Sequence, residues 1–431
     1  MNRFNSIIWP IIILGIILRL TDVAFPDFAT DEAQFALGAS AAQPPIGMFF
    51  FWLSQTIFGA SIISARAVSI VFGIATIYLI YQIVLTFSDK KVALTAAAFA
   101  SIFPTHIIFS KLAYLSVPLC FAWALTTLMF LKARKQNNKL TNKRINGASN
   151  MIGLYLAATL STFIKTQGLL LPFLLLIGVI IESIKNKKPL LTINYSLFTI
   201  LFLSLIPITL YILTSPGIGA TLTLYGGNMY GISGIFERML TLLKLWWHLI
   251  PIIFILFILS SKFYFLSSKN NWPTTILIIT GVLLGLTLGP AHEYYTTYLV
   301  YWSIPIALLL NRMKPCWTPV ILTLIVINTL LLTGPRSVFL NGRTYKLYQK
   351  EGYWNTHADQ INDVLKGVDE VIVMGHPGHH IRWYLEPRVL VGKNMDLINR
   401  KGTFLNLGKE IQLEAVGEVL YDDEKVVITR K

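Results

Sequence analysis

Long apolar runs alternate with short polar connections along most of the 431-residue chain. A helix needs about 20 apolar residues to cross the hydrocarbon core of a bilayer, and shorter runs cross with the help of their flanks. The pattern therefore predicts eleven membrane spans: Ser6–Leu20, Ile62–Phe87, Val92–Phe103, Ile107–Leu131, Asn150–Phe163, Gly168–Ile184, Leu191–Leu213, Leu240–Ser260, Thr274–Leu288, Tyr298–Leu310 and Val320–Leu332.

The connections predict which way the spans run. Lys and Arg concentrate in every second loop, starting with Arg3 and continuing through residues 90–91, 132–144, 185–188, 262–269 and 312–314. Basic loops stay on the cytoplasmic side of a membrane, so these loops are predicted to lie inside. No small-residue cleavage site follows the first run, which indicates a retained span rather than a removed signal peptide.

Composition agrees with this class of protein. Hydrophobic residues make up 54% of the chain and charged residues only 13%, which excludes an ordinary soluble protein. The net charge of +15 lies almost entirely in the part up to Thr333, which has 22 Lys and Arg against 8 Asp and Glu, whereas the tail after it has 14 against 13. The positive-inside rule explains that excess, so no nucleic acid partner is implied.

The fold class that follows is an α-helical polytopic membrane protein with a small C-terminal α/β domain. Residues 1–334 form the transmembrane domain, with residues 21–60 as its first outer loop, and residues 335–431 form a small soluble domain outside the membrane. In that domain the pattern predicts a helix at Thr356–Leu365, strands at Glu370–Met374 and Val389–Leu390, and a hairpin through Glu418–Ile428.

The acids indicate on which face chemistry takes place. Six of the eight acids before the tail fall at outer span ends or in outer loops, and two of them, Asp31 and Glu32, are adjacent in a polar insert between apolar runs. A carboxylate here is suited to take a proton from an attacking hydroxyl group. The alternative is structural, because an Asp is also a common N-cap for a helix beginning at Glu32 or Ala33.

Cations on the outer side are the second group of candidate functional residues. Ionisable residues at or within spans are costly and are functional candidates by default. An enzyme with an outward-facing site has a natural substrate in a lipid-linked phosphate, whose anion lies at headgroup level and needs a cation beside it. The alternative for Arg66, Lys111 and Lys165 is that they extend to the lipid headgroups. The outer candidates are Arg19, Arg66, Lys111, Lys165, Arg238 and Lys244.

The order of these features resembles the ArnT-like and protein O-mannosyltransferase-like (PMT-type) branch of the GT-C glycosyltransferases, which use polyprenyl-phosphate sugars. Asp31-Glu32 is similar to the acid pair of the family's first outer loop, and Gln43-Pro44-Pro45 to its following Pro-Pro motif. The other matching stretches are Ser64-Ala65-Arg66, Pro104 to Ala113, Phe163 to Pro172, and His292 to Tyr295 with Trp302 to Pro305.

The resemblance implies a membrane glycosyltransferase that inverts the sugar's anomeric centre. It implies that Asp31 is the catalytic base, that Glu32 assists it or holds the loop, and that Lys165, Arg66 and Lys111 face the lipid phosphate. Gln43, His292, Glu293, Tyr294 and Tyr295 are the implied substrate-binding residues. The partners would be a polyprenyl-phosphate-linked sugar donor, a glycan, lipid or protein acceptor, and the bilayer of the inner or plasma membrane, with no nucleic acid.

Departures from the family pattern bear on the acceptor and on metal use. Gln43 stands where a Lys or His is usual, Lys111 where an Arg is usual, and Ser116 where many members carry a second Asp. The sequence therefore establishes no cofactor and leaves a divalent metal open. Two other functions stay open as well: a transporter or flippase of lipid-linked sugars, and a catalytically inactive partner subunit.

Overall fold

The computed structural model of the protein forms two compact units, residues 1–23 with 40–341, and residues 24–39 with 342–431. The first outer loop predicted at residues 21–60 is thus divided between them. The residues that the structure describes are 8–21, 23, 32, 35–36, 43–137, 144–185, 195–214, 272–287, 293–311, 353–374, 388–391, 403–407, 418–422 and 426–430.

The first unit is helical. Its helices are α1 (Ile8–Leu20), α2 (Pro45–Phe58), α3 (Ile62–Leu85), α4 (Lys90–Ser101), α5 (Pro104–Ser110), α6 (Ser116–Asn137), α7 (Arg144–Ile164), α8 (Leu170–Lys185), α9 (Tyr195–Thr214), α10 (Trp272–Thr287) and α11 (Ser303–Leu310). Two 3-10 segments, Thr166–Leu169 and Glu293–Trp302, lead into α8 and α11.

Several of these helices are long and apolar enough to cross a membrane. Ile62–Leu85, Ser116–Lys135 and Thr166–Lys185 qualify singly, and α4 with α5 qualifies as a fourth, bent span, all within the described residues. The predicted spans Leu240–Ser260 and Val320–Leu332 lie outside those residues. The count of eleven spans therefore stays a prediction.

The break between α4 and α5 corrects the sequence analysis. A span was predicted to begin at Ile107, but residues 107–110 belong to α5, which is bent by 57° from α4, and the next long helix begins at Ser116. Pro104 at the start of α5 has no backbone N–H and restricts Phe103 to an extended conformation, so α4 cannot continue. The predicted end of a span at Phe103 agrees with this break, but hydropathy did not show the second break before Ser116, because residues 107–115 are mostly apolar.

The segment before α3, predicted as loop, contains the 14-residue helix α2. Pro45 opens it, a position where proline's missing N–H costs nothing. The side chains of Phe49, Trp52 and Phe58 are exposed along this helix. At its far end the Ser54 hydroxyl donates to the Ser64 carbonyl at 2.6 Å, which ties α2 to the start of α3.

Three helices that the sequence predicts to have an end on the same side of the membrane do meet at one end of the bundle. The Arg134 guanidinium of α6 forms a salt bridge to Glu182 of α8 at 2.5 Å. The Trp272 indole of α10 donates to the other Glu182 oxygen at 3.1 Å, and Arg134 lies over the Trp272 ring, 5.4 Å from its centre. This largely buried cluster fixes the three helix ends together.

The second unit contains a five-stranded sheet and the helix α12 (Tyr353–Val364). The strands are β1 (Glu370–Met374), β2 (Arg388–Val391), β3 (Thr403–Leu407), β4 (Glu418–Asp422) and β5 (Val426–Arg430), in the order β2-β1-β3-β5-β4. β1 pairs in parallel with β2 and β3, whereas β5 is antiparallel to β3 and β4. The predicted helix, the first two strands and the β4–β5 hairpin are present in this unit, and β3 was missed.

Candidate functional site

Several predicted site residues lie outside the part of the chain that the structure describes. Asp31, His292, Arg238 and Lys244 are among them. The side chains of residues 293–295 also lie outside the described part, although the backbone of these residues begins the Glu293–Trp302 3-10 helix. Glu32 is described: it is helical and buried, and belongs to the second unit. The roles of these residues stay predictions.

The three cations predicted to face a lipid phosphate are buried inside the first unit. Arg66 is 0% exposed, Lys165 1% and Lys111 3%. Burial argues against the alternative that they extend to lipid headgroups, since a snorkelling side chain keeps its charged end in water. We call Arg66, Lys111 and Lys165 the cation cluster.

Arg66 lies near the N-terminus of α3, where a side-chain cap fixes the start of the helix. Ser61 and Ser64 form a capping box, in which each hydroxyl accepts from the other residue's backbone N–H at 3.0 Å. This reciprocal cap satisfies two N–H groups that a helix start leaves unpaired. Arg66 follows in the next turn and donates from Nη1 to the Val23 carbonyl at 2.7 Å. The arginine therefore connects the chain beyond α1 to α3.

Lys111 lies at the C-terminal end of α5, where its backbone N–H donates to the carbonyls of Ile107 and Ile108. The turn that follows is anchored to α3, because the Ser69 hydroxyl donates to the Tyr114 carbonyl at 3.4 Å. Ser69 is three residues after Arg66 and so lies on the same face of α3. The turn that follows Lys111 therefore packs against the part of α3 that carries Arg66.

Lys165 is extended and begins the 3-10 turn before α8. The Gly168 N–H donates to the Lys165 carbonyl at 2.7 Å, and the Gly168 carbonyl accepts from the Trp123 indole at 3.3 Å and the Ser161 hydroxyl at 3.2 Å. A methyl group at Gly168 would collide with the Ser161 carbonyl, so only glycine fits. The turn carrying Lys165 is thus fixed by α6 and α7.

The start of helix α2 packs against the chain segments that carry Lys111 and Lys165. A methyl group at Gly47 would lie 2.5 Å from both the Ile164 carbonyl and the Leu115 side chain. The residue before Lys165 and the turn after Lys111 therefore meet at the start of α2. Gln43 lies four residues before Gly47, and its Oε1 is buried with no hydrogen-bond partner among the described residues.

Ser116, which stands where the family often carries a second Asp, begins α6 directly after this contact. Its side chain is 0% exposed, and within the described ranges its hydroxyl has no hydrogen-bond partner. No group of three or more His, Cys, Asp or Glu side chains that could hold a metal ion occurs among the residues the structure describes.

Sequence reasoning missed a second polar group, buried between the helices. Arg19 was noted only as an outer cation, yet it is buried beside the end of α4 and donates to the Ser101 carbonyl at 3.1 Å. His106 was given no role, but one ring nitrogen lies 2.9 Å from the Thr297 hydroxyl and the other 3.3 Å from the Gly73 carbonyl. Pro104, just before His106, was the signal that could have shown a broken span here.

Comparison with known proteins shows which family part of the chain resembles. The family model described as dolichyl-phosphate-mannose-protein mannosyltransferase matches residues 42–211, a range that includes Gln43 and the cation cluster. No curated protein sequence matches the chain.

Solved structures match nearly the whole length. ArnT from Cupriavidus metallidurans in the apo state is 12% identical with a TM-score of 0.69, covering 98% of this chain and 97% of that chain. The same protein bound to undecaprenyl phosphate is 11% identical with a TM-score of 0.67 and the same coverage. The Archaeoglobus fulgidus oligosaccharyltransferase in its apo form is 13% identical with a TM-score of 0.56, covering 93% of this chain and 66% of that chain.

The fold is therefore that of the GT-C membrane glycosyltransferases. Within that class, the matches confirm the resemblance to the ArnT-like and protein mannosyltransferase-like branch that the sequence indicated.

Proposed function

We propose that the protein is a membrane glycosyltransferase that moves a sugar from a polyprenyl-phosphate donor to an acceptor hydroxyl on the extracytoplasmic side of the cell membrane. The observation that carries the proposal is the cation cluster: Lys111 and Lys165 are buried on turns that meet at Gly47, and Arg66 is buried near the start of α3. Buried cations need an anion or strong hydrogen-bond acceptors beside them. A lipid phosphate is an anion that buried cations attract more strongly than exposed ones do. ArnT from Cupriavidus metallidurans, which has a similar fold, was solved bound to undecaprenyl phosphate.

The proposed reaction inverts the sugar's anomeric carbon. The acceptor oxygen attacks that carbon on the face opposite the phosphate and forms the new glycosidic bond, while the bond from carbon to phosphate oxygen breaks. The electron pair of the broken bond leaves with the polyprenyl phosphate, and the hydroxyl proton passes to Asp31. Lys165, Arg66 and Lys111 stabilise the leaving phosphate, as positioned cations stabilise charge that develops in a transition state.

The test measures transfer of a labelled sugar from a set of polyprenyl-phosphate donors in membranes with matched expression. Asp31→Asn should reduce turnover by about a hundredfold or more, the contribution expected of a general base. Asp89→Asn is the matched control. Asp89 caps α4 by accepting from the Val92 N–H at 2.9 Å, and an Asn oxygen keeps that bond. Equal turnover in the two variants would refute Asp31 as the base.

A transporter of lipid-linked sugars is the second candidate. It is favoured by Arg19 and His106, because buried ionisable residues inside a bundle are typical of transport pathways. The same assay separates the two functions. A transporter would move labelled donor across the membrane of a proteoliposome without joining sugar to acceptor, whereas the proposed enzyme forms the glycosidic bond.

A further inference from the structure

Arg19 is a buried cation without an acidic partner in the described part of the chain. It is 0% exposed, and its hydrogen bonds run from Nη1 to the backbone carbonyls of Gly15, at 3.0 Å, and Ser101, at 3.1 Å. Its Nε and Nη2 have no hydrogen-bond partner among the described residues. A charge in this position needs compensation, and side-chain acids within the described ranges do not provide it.

The carbonyl groups at the C-terminal end of α4 provide the compensation for the Arg19 charge. Carbonyl groups at the C-terminus of a helix have no partner within the helix and carry the negative end of its dipole. Inside a bilayer water does not satisfy such groups, so a broken span requires protein donors at the break. Arg19 donates to Ser101, the last residue of α4, at the point where Pro104 ends the helix.

The packing around the guanidinium is close on the remaining sides. A methyl group at Gly73 would lie 3.2 Å from Arg19 Nε and would collide with the Ser110 hydroxyl. One at Gly15 would lie 2.7 Å from the Ile77 side chain. On the far side of the break, His106 joins α5 to Gly73 of α3 and to the Glu293–Trp302 3-10 helix. Arg19 therefore fits one arrangement of α1, α3, α4 and α5.

We propose that Arg19 is a positioning residue that holds the 57° bend between α4 and α5 by capping the C-terminus of α4 inside the membrane. Because α5 ends at Ser110, directly before Lys111, the direction of the bend determines where that cation lies. The consequence for Lys111 rests on the proposed function, whereas the capping of α4 does not.

The experiment compares full-length wild type, Arg19→Met and Arg19→Lys in detergent micelles by hydrogen exchange of the backbone amides in residues 102–112. Lys91→Met is the control, since it replaces an exposed cation at the other end of the same helix, α4, with the same residue. Arg19→Met should speed exchange in this segment by about tenfold, as expected from losing a charged cap. Arg19→Lys should restore most of the protection, and Lys91→Met should leave the segment within about twofold of wild type.

Undecaprenyl phosphate binding by the same variants tests the consequence for Lys111. Arg19→Met should weaken binding by about tenfold, and Lys91→Met should not. If exchange in residues 102–112 is unchanged in Arg19→Met, or rises equally in both Met variants, Arg19 is a packing group only and the proposal is wrong. If the wild type binds no lipid phosphate, the proposed function fails while the exchange result still decides the role of Arg19.

Discussion

At the scale of single residues, the site depends on charges that are costly to bury. Arg66, Lys111 and Lys165 are each almost fully removed from solvent, and in a low-dielectric interior a charge interacts more strongly with an anion than it does in water. The same burial that makes these residues expensive to place would strengthen their attraction for the phosphate group that we propose they bind.

Lys165 lies on a turn that hydrogen bonds to α6 and α7 hold in place. Lys165→Gln should weaken undecaprenyl phosphate binding by about tenfold to a hundredfold, because it removes a charged hydrogen bond. Lys91→Gln, which changes an exposed lysine at the start of α4, should have no effect. Equilibrium binding in nanodiscs measures both, and equal affinities would exclude Lys165 from the site.

Gly168 makes a second residue-level prediction. Gly168→Ala should destabilise the protein by about 1–3 kcal/mol, because the added methyl group has no room beside the Ser161 carbonyl. Gly153→Ala is the control: there the nearest atom is the Met129 sulfur at 3.1 Å, on a flexible side chain that can move. Thermal unfolding in detergent reports the difference, and similar midpoints for the two variants would contradict the packing described.

At the scale of elements, hydropathy and charge predicted the long helices but not how they break. Ile62–Leu85 follows from its uninterrupted apolar run, and β1 was predicted at its observed bounds, Glu370–Met374. The end of a span at Phe103 was predicted, but the short helix Pro104–Ser110 and the start of the next long helix at Ser116 were missed, because apolar residues continue from Ile107 into that helix. Helix α2 was missed because its residues were assigned to the outer loop that contains the acid pair, although Pro45 is a typical first helical residue.

The junction of α2 with α3 supports an element-level prediction. Ser54→Ala should cost about 1 kcal/mol of unfolding free energy, because it removes the buried hydrogen bond to the Ser64 carbonyl. Thr56→Ala should cost little, because the Thr56 hydroxyl is exposed and bonds to Trp52 in its own helix. Denaturant unfolding of the two variants checks this, and equal losses would show that the junction contributes nothing specific.

At the scale of the whole molecule, the cluster of Arg134, Glu182 and Trp272 fixes one end of the bundle. Arg134→Met should destabilise by about 3–5 kcal/mol, since it leaves the largely buried Glu182 carboxylate without its cation. Adding Glu182→Gln should recover part of that loss. A double-mutant cycle measured by unfolding tests the coupling, and simple additivity would show that the pair does not interact.

The candidate site was predictable to the extent that its residues carry charge within apolar surroundings. Lys111 and Lys165 stand out in the sequence for that reason, but the meeting of their turns at Gly47 depends on tertiary contacts that no local pattern contains. Arg19 stood out equally as an outer cation, but the sequence does not show that it is buried against the end of α4.

The central claim, that the cation cluster binds a lipid phosphate, is tested most directly by comparing undecaprenyl phosphate with undecaprenol, which has the same tail and no phosphate. The wild type should bind the phosphate at least about tenfold more tightly, and the double variant Lys111→Gln, Lys165→Gln should lose that preference while keeping its affinity for undecaprenol. Equal binding of the two lipids by the wild type would contradict the account.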